Sequence, residues 1–170
     1  MLTWRHGEHH DRAALQQFLC TPPVKGRRFG RGAPPRSNAW ELEAQSAIRN
    51  LRPPAVPSAL IVLGSDEGGI AAVAAAEQDA TPDVVFVSLI GVALRLRHRS
   101  DGIHVGEELT DQVINWAAER ADANGYSRLT LWGYVHLRNV ACQSLCRRIG
   151  ADTFEGTGAF DRWVANIVIE

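Results

Sequence analysis

One segment of the sequence constrains the fold more than any other, because it joins a buried strand to an amphipathic helix through a basic, glycine-containing loop. The apolar run Asp83–Leu94 predicts the strand, and a stripe containing Leu109 and Val113 predicts a helix over Glu107–Asn124. Backbone N–H groups at a helix N-terminus lack intrahelical partners and carry partial positive charge. The loop over 95–106 and the start of this helix therefore suit a phosphate or pyrophosphate.

A second segment with its own signals follows the next predicted strand, Arg128–Val135. It runs from His136 to Cys142 and opens a helix predicted over Asn139–Ile149. Asn139 is a good N-cap, because its side-chain oxygen can accept a hydrogen bond from a first-turn N–H. Gly150 stands just past the predicted helix, where glycine commonly ends a helix.

Composition and charge limit the classes of protein that this chain can form. Its 170 residues, 45% hydrophobic and 22% charged, predict one globular domain over 1–170. A net charge of −1 argues against a general nucleic-acid binder. Residues 1–8 lack the apolar core of a secretory signal, and no apolar run is long enough to span a membrane. Three cysteines without CxxC spacing predict a cytoplasmic protein with no disulfide framework.

The rest of the chain alternates between strand and helix patterns. Residues 21–38 hold four prolines and no acidic residue, and Lys25 with four arginines makes them a predicted mobile basic loop. Asp11 is a predicted N-cap. The order β-α-α-β-β-β-α-β-α-β, with a further short strand near Phe154, predicts an α/β fold with a mixed central sheet and helices on both faces. The remaining predicted strands are 1–5, 59–64, 69–77 and 160–169, and the remaining helices are 13–19 and 40–51.

The first and second segments together resemble the acyl-CoA-binding core of the GNAT N-acetyltransferase superfamily. In that family a small apolar triplet, matched here by residues 92–94, precedes a loop of the form Arg/Gln-x-x-Gly-x-Gly/Ala. Arg99 and Gly102 match the loop in one register. A second register starts at Asp101 and ends at Gly106, and a two-residue extension of the loop would reconcile the two.

This resemblance implies the ligand and much of the site. The expected fold is a GNAT-like sheet splayed between its fourth and fifth strands, and the expected cosubstrate is acetyl-CoA, with no metal. His104 stands where the family has glycine or alanine, so its Cβ could block phosphate or its imidazole could donate to it. The implied cofactor-binding residues are Val92, Ala93, Leu94, Arg99, Gly102, Ile103, His104, Val105, Gly106 and Asn139.

Two residues are candidates for proton transfer. The resemblance puts Cys146 where the family has a tyrosine that often protonates the departing CoA thiolate, and a thiol could donate in its place. The alternative is a buried cysteine stacked one turn from Cys142. His136 is the candidate base, because imidazole exchanges a proton near neutral pH, and the alternative is a capping or surface histidine.

Other groups could assist the same reaction. Glu77 and Asp83 flank the third and fourth strands and could act as bases through water. A backbone N–H of residues 92–94 could stabilise the oxyanion. No positioned nucleophile pair is visible, so the expected mechanism is direct attack by the amine within a ternary complex.

The acceptor is expected on the side of the basic loop, whose charge would suit an acidic or phosphorylated acceptor, or a nucleic-acid end stacked on Phe29 or Trp40. Phe29 lies within that loop and Trp40 follows it, while Tyr134 shares a strand face with His136. These three are the predicted substrate-binding residues, and the alternative is a solvated loop without such a role. His9-His10 has no helical i,i+4 partner, so no metal site is predicted.

The predicted function is N-acetyl transfer from acetyl-CoA to a small-molecule or peptide amine. One alternative is a non-catalytic domain that binds CoA or acyl-CoA as a sensor or scaffold. The other is a nucleic-acid or partner-binding module that uses residues 21–38, although neither nucleic acid nor a membrane is an expected partner. A homodimer is left open.

Overall fold

The computed structural model describes residues 2–22, 39–53, 56–97 and 104–169. The predicted alternation of strands and helices is confirmed, including the short strand near Phe154. Short 3-10 helices occur at His9–Asp11 and Leu94–Leu96. The elements are β1 (Thr3–His6), α1 (Arg12–Gln16), α2 (Ala39–Asn50), β2 (Ala59–Asp66), β3 (Gly69–Gln78), β4 (Val84–Val92), α3 (Val105–Ala123), β5 (Arg128–His136), α4 (Val140–Arg148), β6 (Asp152–Phe154) and β7 (Phe160–Val168).

The strands form one seven-stranded sheet in the order β1-β2-β3-β4-β5-β7-β6. Every neighbouring pair is antiparallel except β4 and β5, which are parallel. A parallel pair needs a crossover connection, and α3 supplies it. The predicted mixed sheet is therefore confirmed.

Helices cover both faces of the sheet, as predicted. Successive side chains of a strand point to opposite faces, so Val62 and Ala74 pack under α3 while Leu63 and Val73 pack under α1 and α2. Burying each such Leu or Val contributes about 1.5–3 kcal/mol. The helical partners in the two cores include Leu109, Val113 and Ala117 on one face and Leu15, Phe18 and Ile48 on the other.

The ends of α3 and α4 follow their sequence signals. Gly125 and Gly150 adopt φ values of 81° and 73°, which only glycine enters freely. The N–H of Tyr126 reaches back to the Ala121 carbonyl at 3.0 Å, a bond typical of a glycine-terminated helix. The α3 helix begins at Val105 rather than at the predicted Glu107.

Asp11 has a different role from the predicted N-cap. Its side chain accepts no hydrogen bond from the N-terminus of α1. Instead it accepts two hydrogen bonds from Arg5, at 2.5 and 2.6 Å, and one from the Glu8 N–H at 2.8 Å. The N-cap prediction was wrong because the preceding 3-10 helix already starts the turn and turns the carboxylate back onto β1.

The sheet opens between β4 and β5. Only three residue pairs join these strands, Val84 with Thr130, Val85 with Leu131 and Phe86 with Trp132. Both strands continue beyond those pairs without contacting each other in register, so a gap widens towards the end of β4. The predicted splay between the fourth and fifth strands is confirmed.

Gly133 lies where the gap begins. A Cβ at this position would meet the Val87 carbonyl oxygen at 2.8 Å, which is closer than real Cβ atoms approach. Glycine is therefore required for the two backbones to come this close before they separate.

Candidate active site

The gap holds a largely apolar cavity of about 350 Å³. Residues 87–90 of β4 form one side of it and residues 131–136 of β5 form the other. Side chains from α2, α4 and β7 close its ends. Beyond Phe86 the backbone of β4 has no strand partner on this side, so alternate N–H and C=O groups face the cavity.

A second, wider cavity of about 640 Å³ adjoins the first. Its lining includes the start of α3 and the side chains of Arg97, Arg138 and Arg148. The described part of the chain thus offers an apolar cavity and, adjoining it, a larger one whose lining holds three arginines and two glutamates. The residues that line both cavities are Trp40, Ile90, Asn139, Cys142 and Leu145.

The start of α3 faces the second cavity. His104 occupies the N-cap position and its side chain caps no N–H, so the first N–H groups of the helix lack a side-chain partner. A Cβ at Gly106 would meet only the Leu145 side chain, at 3.8 Å, so Gly106 leaves open space beside these N–H groups. Glu107 is paired with Arg148 across the cavity wall.

The apolar triplet contributes less to the cavities than predicted. Val92 lines the second cavity, whereas Ala93 and Leu94 line neither. The N–H of Ala93 donates to Ala71 and the N–H of Leu94 donates to Leu19, both at 2.8 Å. The oxyanion prediction is therefore wrong for these two N–H groups, because both are already engaged where the chain leaves the sheet.

Asn139 lies at the junction of the two cavities. Its side-chain oxygen accepts the Cys142 N–H at 3.1 Å, which confirms the predicted N-cap of α4. The cap orients the helix so that Cys142 and Cys146, one turn apart, face the first cavity.

The two cysteines of α4 influence each other. The Cys142 thiol donates a hydrogen bond to Cys146, and together with burial this raises the pKa of Cys142 above its ordinary value. The same hydrogen bond lowers the pKa of Cys146, against the opposing effect of burial. Cys146 is therefore the more acidic thiol of the pair.

His136 lies among aromatic rings at the other side of the gap. Its ring stacks on Trp40 with centroids 5.3 Å apart, and it meets the edge of Phe160 at 5.1 Å. Nδ1 accepts the backbone N–H of Arg138 at 3.1 Å, so in this arrangement Nε2 is the protonated ring nitrogen when the imidazole is neutral. His136 and Cys146 both line the first cavity, as does Tyr134, which is 50% exposed.

The carboxylates suggested by the sequence lie elsewhere. Glu77 and Asp83 are at the closed end of the β4–β5 gap and line neither cavity. Asp83 accepts a hydrogen bond from Thr81 at 2.6 Å. Glu43, which was not predicted from the sequence, lines the first cavity one helical turn after Trp40, and that helical spacing was the available signal.

Several predicted residues lie outside the described residues. Phe29 and nearly all of the basic loop 21–38 are among them, as are Arg99, Gly102 and Ile103. Within the ranges that the structure describes, no group of three His, Cys, Asp or Glu side chains could hold a metal ion. No helix in those ranges is long and apolar enough to cross a membrane.

Comparison with known proteins identifies the fold. No family model and no curated protein matches the sequence. An acetyltransferase of the GNAT family from Streptococcus pneumoniae has a similar structure, with TM-score 0.55, 18% identity and 100% of each chain covered. The ribosomal-protein-S18-alanine N-acetyltransferase of Escherichia coli gives TM-score 0.59 at 18% identity, over 100% of this chain and 95% of that one.

A third similar structure comes from Bacillus anthracis and is assigned as a streptothricin acetyltransferase in complex with acetyl coenzyme A. Its TM-score is 0.62 at 14% identity, over 100% of this chain and 98% of that one. The class is thus an α/β fold with a splayed, mixed central sheet. In particular, this chain has the GNAT fold.

Proposed function

We propose that this protein is an N-acetyltransferase that transfers the acetyl group of acetyl-CoA to an amine. The observation that carries the proposal is the adjacency of the two cavities, one apolar and within the sheet, the other lined by arginines and by the N-terminus of α3. The acetyltransferases of similar fold add support, and one of them is a complex with acetyl coenzyme A.

The chain's own residues fit acetyl-CoA. The uncapped start of α3 would hold the pyrophosphate, because orphan N–H groups favour phosphate oxygens. Arg97 and Arg148 are paired with Glu41 and Glu107 in this structure and would exchange those carboxylates for phosphate oxygens on binding. The free edges of β4 and β5 would hold the pantetheine amides with backbone hydrogen bonds. Arg99, Gly102 and Ile103 keep their proposed place in the phosphate loop.

Acetyl-CoA supplies a thioester carbonyl that is open to attack by an amine. The amine nitrogen bonds to that carbonyl carbon, the C–S bond breaks, the amine gives up a proton and the thiolate gains one. His136 would take the proton at Nε2, directly or through water, in the tautomer that gives up the hydrogen bond from the Arg138 N–H to Nδ1 and carries its proton there instead. Cys146 would deliver a proton to the thiolate, which its lowered pKa favours.

The three cysteines are unpaired in the structure, which fits a reducing compartment such as the cytoplasm. A non-catalytic CoA-binding domain is the second candidate. It is favoured by His104 at the N-cap of α3 and by a cysteine in the place of the family's tyrosine. The two candidates differ in turnover and agree on CoA binding.

Calorimetric titration with acetyl-CoA tests the proposal. Wild type is expected to bind, and Gly106→Trp is expected to lose binding, because an indole would fill the space beside the first N–H groups of α3. The matched control is Asn115→Trp, which adds the same ring at an exposed position of the same helix.

Turnover is then measured as thiol release from acetyl-CoA with a panel of amines. Thiol release that requires an amine supports the transferase. Binding without release by any amine would favour the sensor, and absence of binding by wild type would refute both.

A further inference from the structure

Aromatic side chains crowd one face of the gap. Trp132, Tyr134 and His136 alternate along β5 and so point to the same face. The ring centroids of Trp132 and Tyr134 are 5.7 Å apart, and Phe86 lies 4.4 Å from Trp132. Trp132 and Tyr134 line the first cavity and form an aromatic floor next to the proposed base, on the face that α2 borders, whereas Phe86 lines neither cavity.

Two further aromatic rings lie beside this floor, and both contact His136. Trp40 stacks on His136 at an interplanar angle of 14°, and Phe160 stands nearly perpendicular to it at 89°. Phe160 is 39% exposed and Tyr134 is 50% exposed, so both keep ring surface open to a ligand. Aromatic surfaces of this kind favour a guest that is itself a ring, because rings pack by offset stacking or edge contacts.

A single carboxylate borders the same space. Glu43 is the one carboxylate among the described residues that line the first cavity, and no lysine or arginine is among them. It lies on the helix face that also carries Trp40 and Ala47. Glu43 is exposed and forms no hydrogen bond or ion pair with the residues that the structure describes. Glu41, by contrast, is paired with Arg97 at 3.1 Å.

The positive charges lie outside this cavity. Arg97, Arg138 and Arg148 line the second cavity, and Arg162 lies over the Trp132 ring, 5.1 Å from its centroid, without lining the first. A cation in the first cavity would meet the Glu43 carboxylate and the negative faces of aromatic rings. A carboxylate or phosphate in the same cavity would be repelled by Glu43, because both carry negative charge.

From this arrangement we infer that the acceptor is a cationic amine attached by a short alkyl chain to an aromatic ring, with Glu43 selecting its charge. The inference rests on the proposed function and narrows its substrate class. The ring would pack on Tyr134 and Phe160 while the amine reaches His136. Glu43 would attract the ammonium form and discriminate against acceptors that carry an acidic group.

A panel of probe amines tests the class with the wild-type protein and acetyl-CoA. Phenethylamine and tryptamine have the ring and the amine, n-butylamine lacks the ring, phenylalanine adds a carboxylate, and kanamycin is a polar polycation. We expect kcat/KM for phenethylamine to exceed that for n-butylamine and for phenylalanine by about tenfold or more. The reason is that n-butylamine has no ring to pack in the site, and the carboxylate of phenylalanine is repelled by Glu43. A preference for phenylalanine or kanamycin over phenethylamine would overturn the inference.

The role of Glu43 is tested by Glu43→Gln. The KM for phenethylamine should rise by about five- to tenfold with little change in kcat, while the KM for acetyl-CoA stays the same, because Glu43 would bind the amine before chemistry. Glu43→Lys should shrink the preference for phenethylamine over phenylalanine. The control is Glu119→Gln, an exposed carboxylate on α3 that lines neither cavity. Equal effects of Glu119→Gln and Glu43→Gln would overturn the role of Glu43.

Direct titration of phenethylamine without acetyl-CoA separates this inference from the proposed function. Binding by wild type that weakens in Glu43→Gln supports the amine subsite even where no transfer is seen. Acetyl-CoA binding together with faster transfer to polar amines would keep the transferase and reject this acceptor class. Absence of both phenethylamine binding and its acetylation rejects the class in any case.

Discussion

At the scale of single residues, the chemistry of the site depends on which of its two thiols is the stronger acid. Cys142 and Cys146 lie one helical turn apart, and the hydrogen bond between them raises the pKa of Cys142 and lowers that of Cys146. Cys20 is only 2% exposed, and burial raises the pKa of its thiol. The three cysteines of the chain should therefore differ clearly in reactivity.

Alkylation by iodoacetamide near neutral pH checks this order. Cys146 should be modified first, because the thiolate is the reactive form, and Cys20 last, because its side chain is only 2% exposed and out of reach of the reagent. In Cys142→Ala the labelling of Cys146 should slow by about threefold for each unit by which its pKa rises, since fewer thiolates form but each is more nucleophilic. Peptide mass spectrometry gives the rates, and modification of Cys142 ahead of Cys146 would contradict the assignment.

Asp11 gives a pH-dependent contribution to stability. Its hydrogen bonds from Arg5 lower the pKa of the carboxyl from 3.8 to about 2. A carboxylate with a depressed folded-state pKa stabilises fully above its ordinary pKa, and that stabilisation is lost as the pH falls through the folded-state value. The loss is therefore expected between about pH 4 and pH 2.

Urea unfolding of Asp11→Asn beside wild type measures this effect. At neutral pH the variant should be less stable by about 1 kcal/mol, a value discounted because Arg5 is partly exposed. The difference should diminish below about pH 4 as the wild-type carboxyl is protonated. Arg5→Gln should reproduce the loss, and a difference that is constant across this pH range would contradict the ion-pair origin.

At the scale of elements, hydrophobic periodicity predicts most strands and helices to within a few residues. The alternation in β2 and β3 and the apolar stripe of α3 are local patterns, so they are readable without tertiary contacts. The 3-10 turn after β4 was missed, and the strand was predicted to run on to Leu94. The strand ends at Val92 because the next two N–H groups donate to carbonyls elsewhere, that of Ala93 to Ala71 and that of Leu94 to Leu19. Such long-range hydrogen bonds leave no local signal in the sequence.

Gly133→Ala tests the element that opens the sheet. The added Cβ would meet the Val87 carbonyl oxygen at 2.8 Å, and a backbone atom cannot yield as a side-chain tip can. We expect a loss of about 1–3 kcal/mol in the free energy of unfolding, the usual cost of forced overpacking. Gly106→Ala is the matched control, because its Cβ has 3.8 Å of room and should change stability little. Equal stability of both variants in urea would contradict the close approach.

At the scale of the whole molecule, the sequence predicts the site only in part. The resemblance led to Asn139, His136, Cys146 and the start of α3, which the structure gathers around two adjoining cavities. It did not lead to Glu43, because an exposed carboxylate on a helix is unremarkable until the stacking of Trp40 on His136 turns that helix face towards the gap. Contacts between distant elements decide which face of α2 borders the gap, and such contacts have no signature in a single sequence.

Acetyl-CoA should stabilise the whole fold if it binds across both cavities. A ligand at about a hundred times its Kd adds about 2.7 kcal/mol to the free energy of unfolding. For a chain of this size that corresponds to a rise of about 5–10 °C in Tm. Differential scanning calorimetry of wild type and Gly106→Trp measures it, and an equal rise in both would contradict binding at the start of α3.

The parallel pairing of β4 with β5 has a consequence for folding. The whole of α3 separates these two strands along the sequence, whereas β2 pairs with β3 and β3 with β4, which follow one another directly in the chain. Strand pairings that close long loops form late, because the chain loses the entropy of loop closure before it gains the contacts of the pairing. We therefore expect the two sides of the gap to come together only after β2, β3 and β4 have paired. A nascent or partly folded chain would lack a ligand site, so ligand binding would report the completed fold.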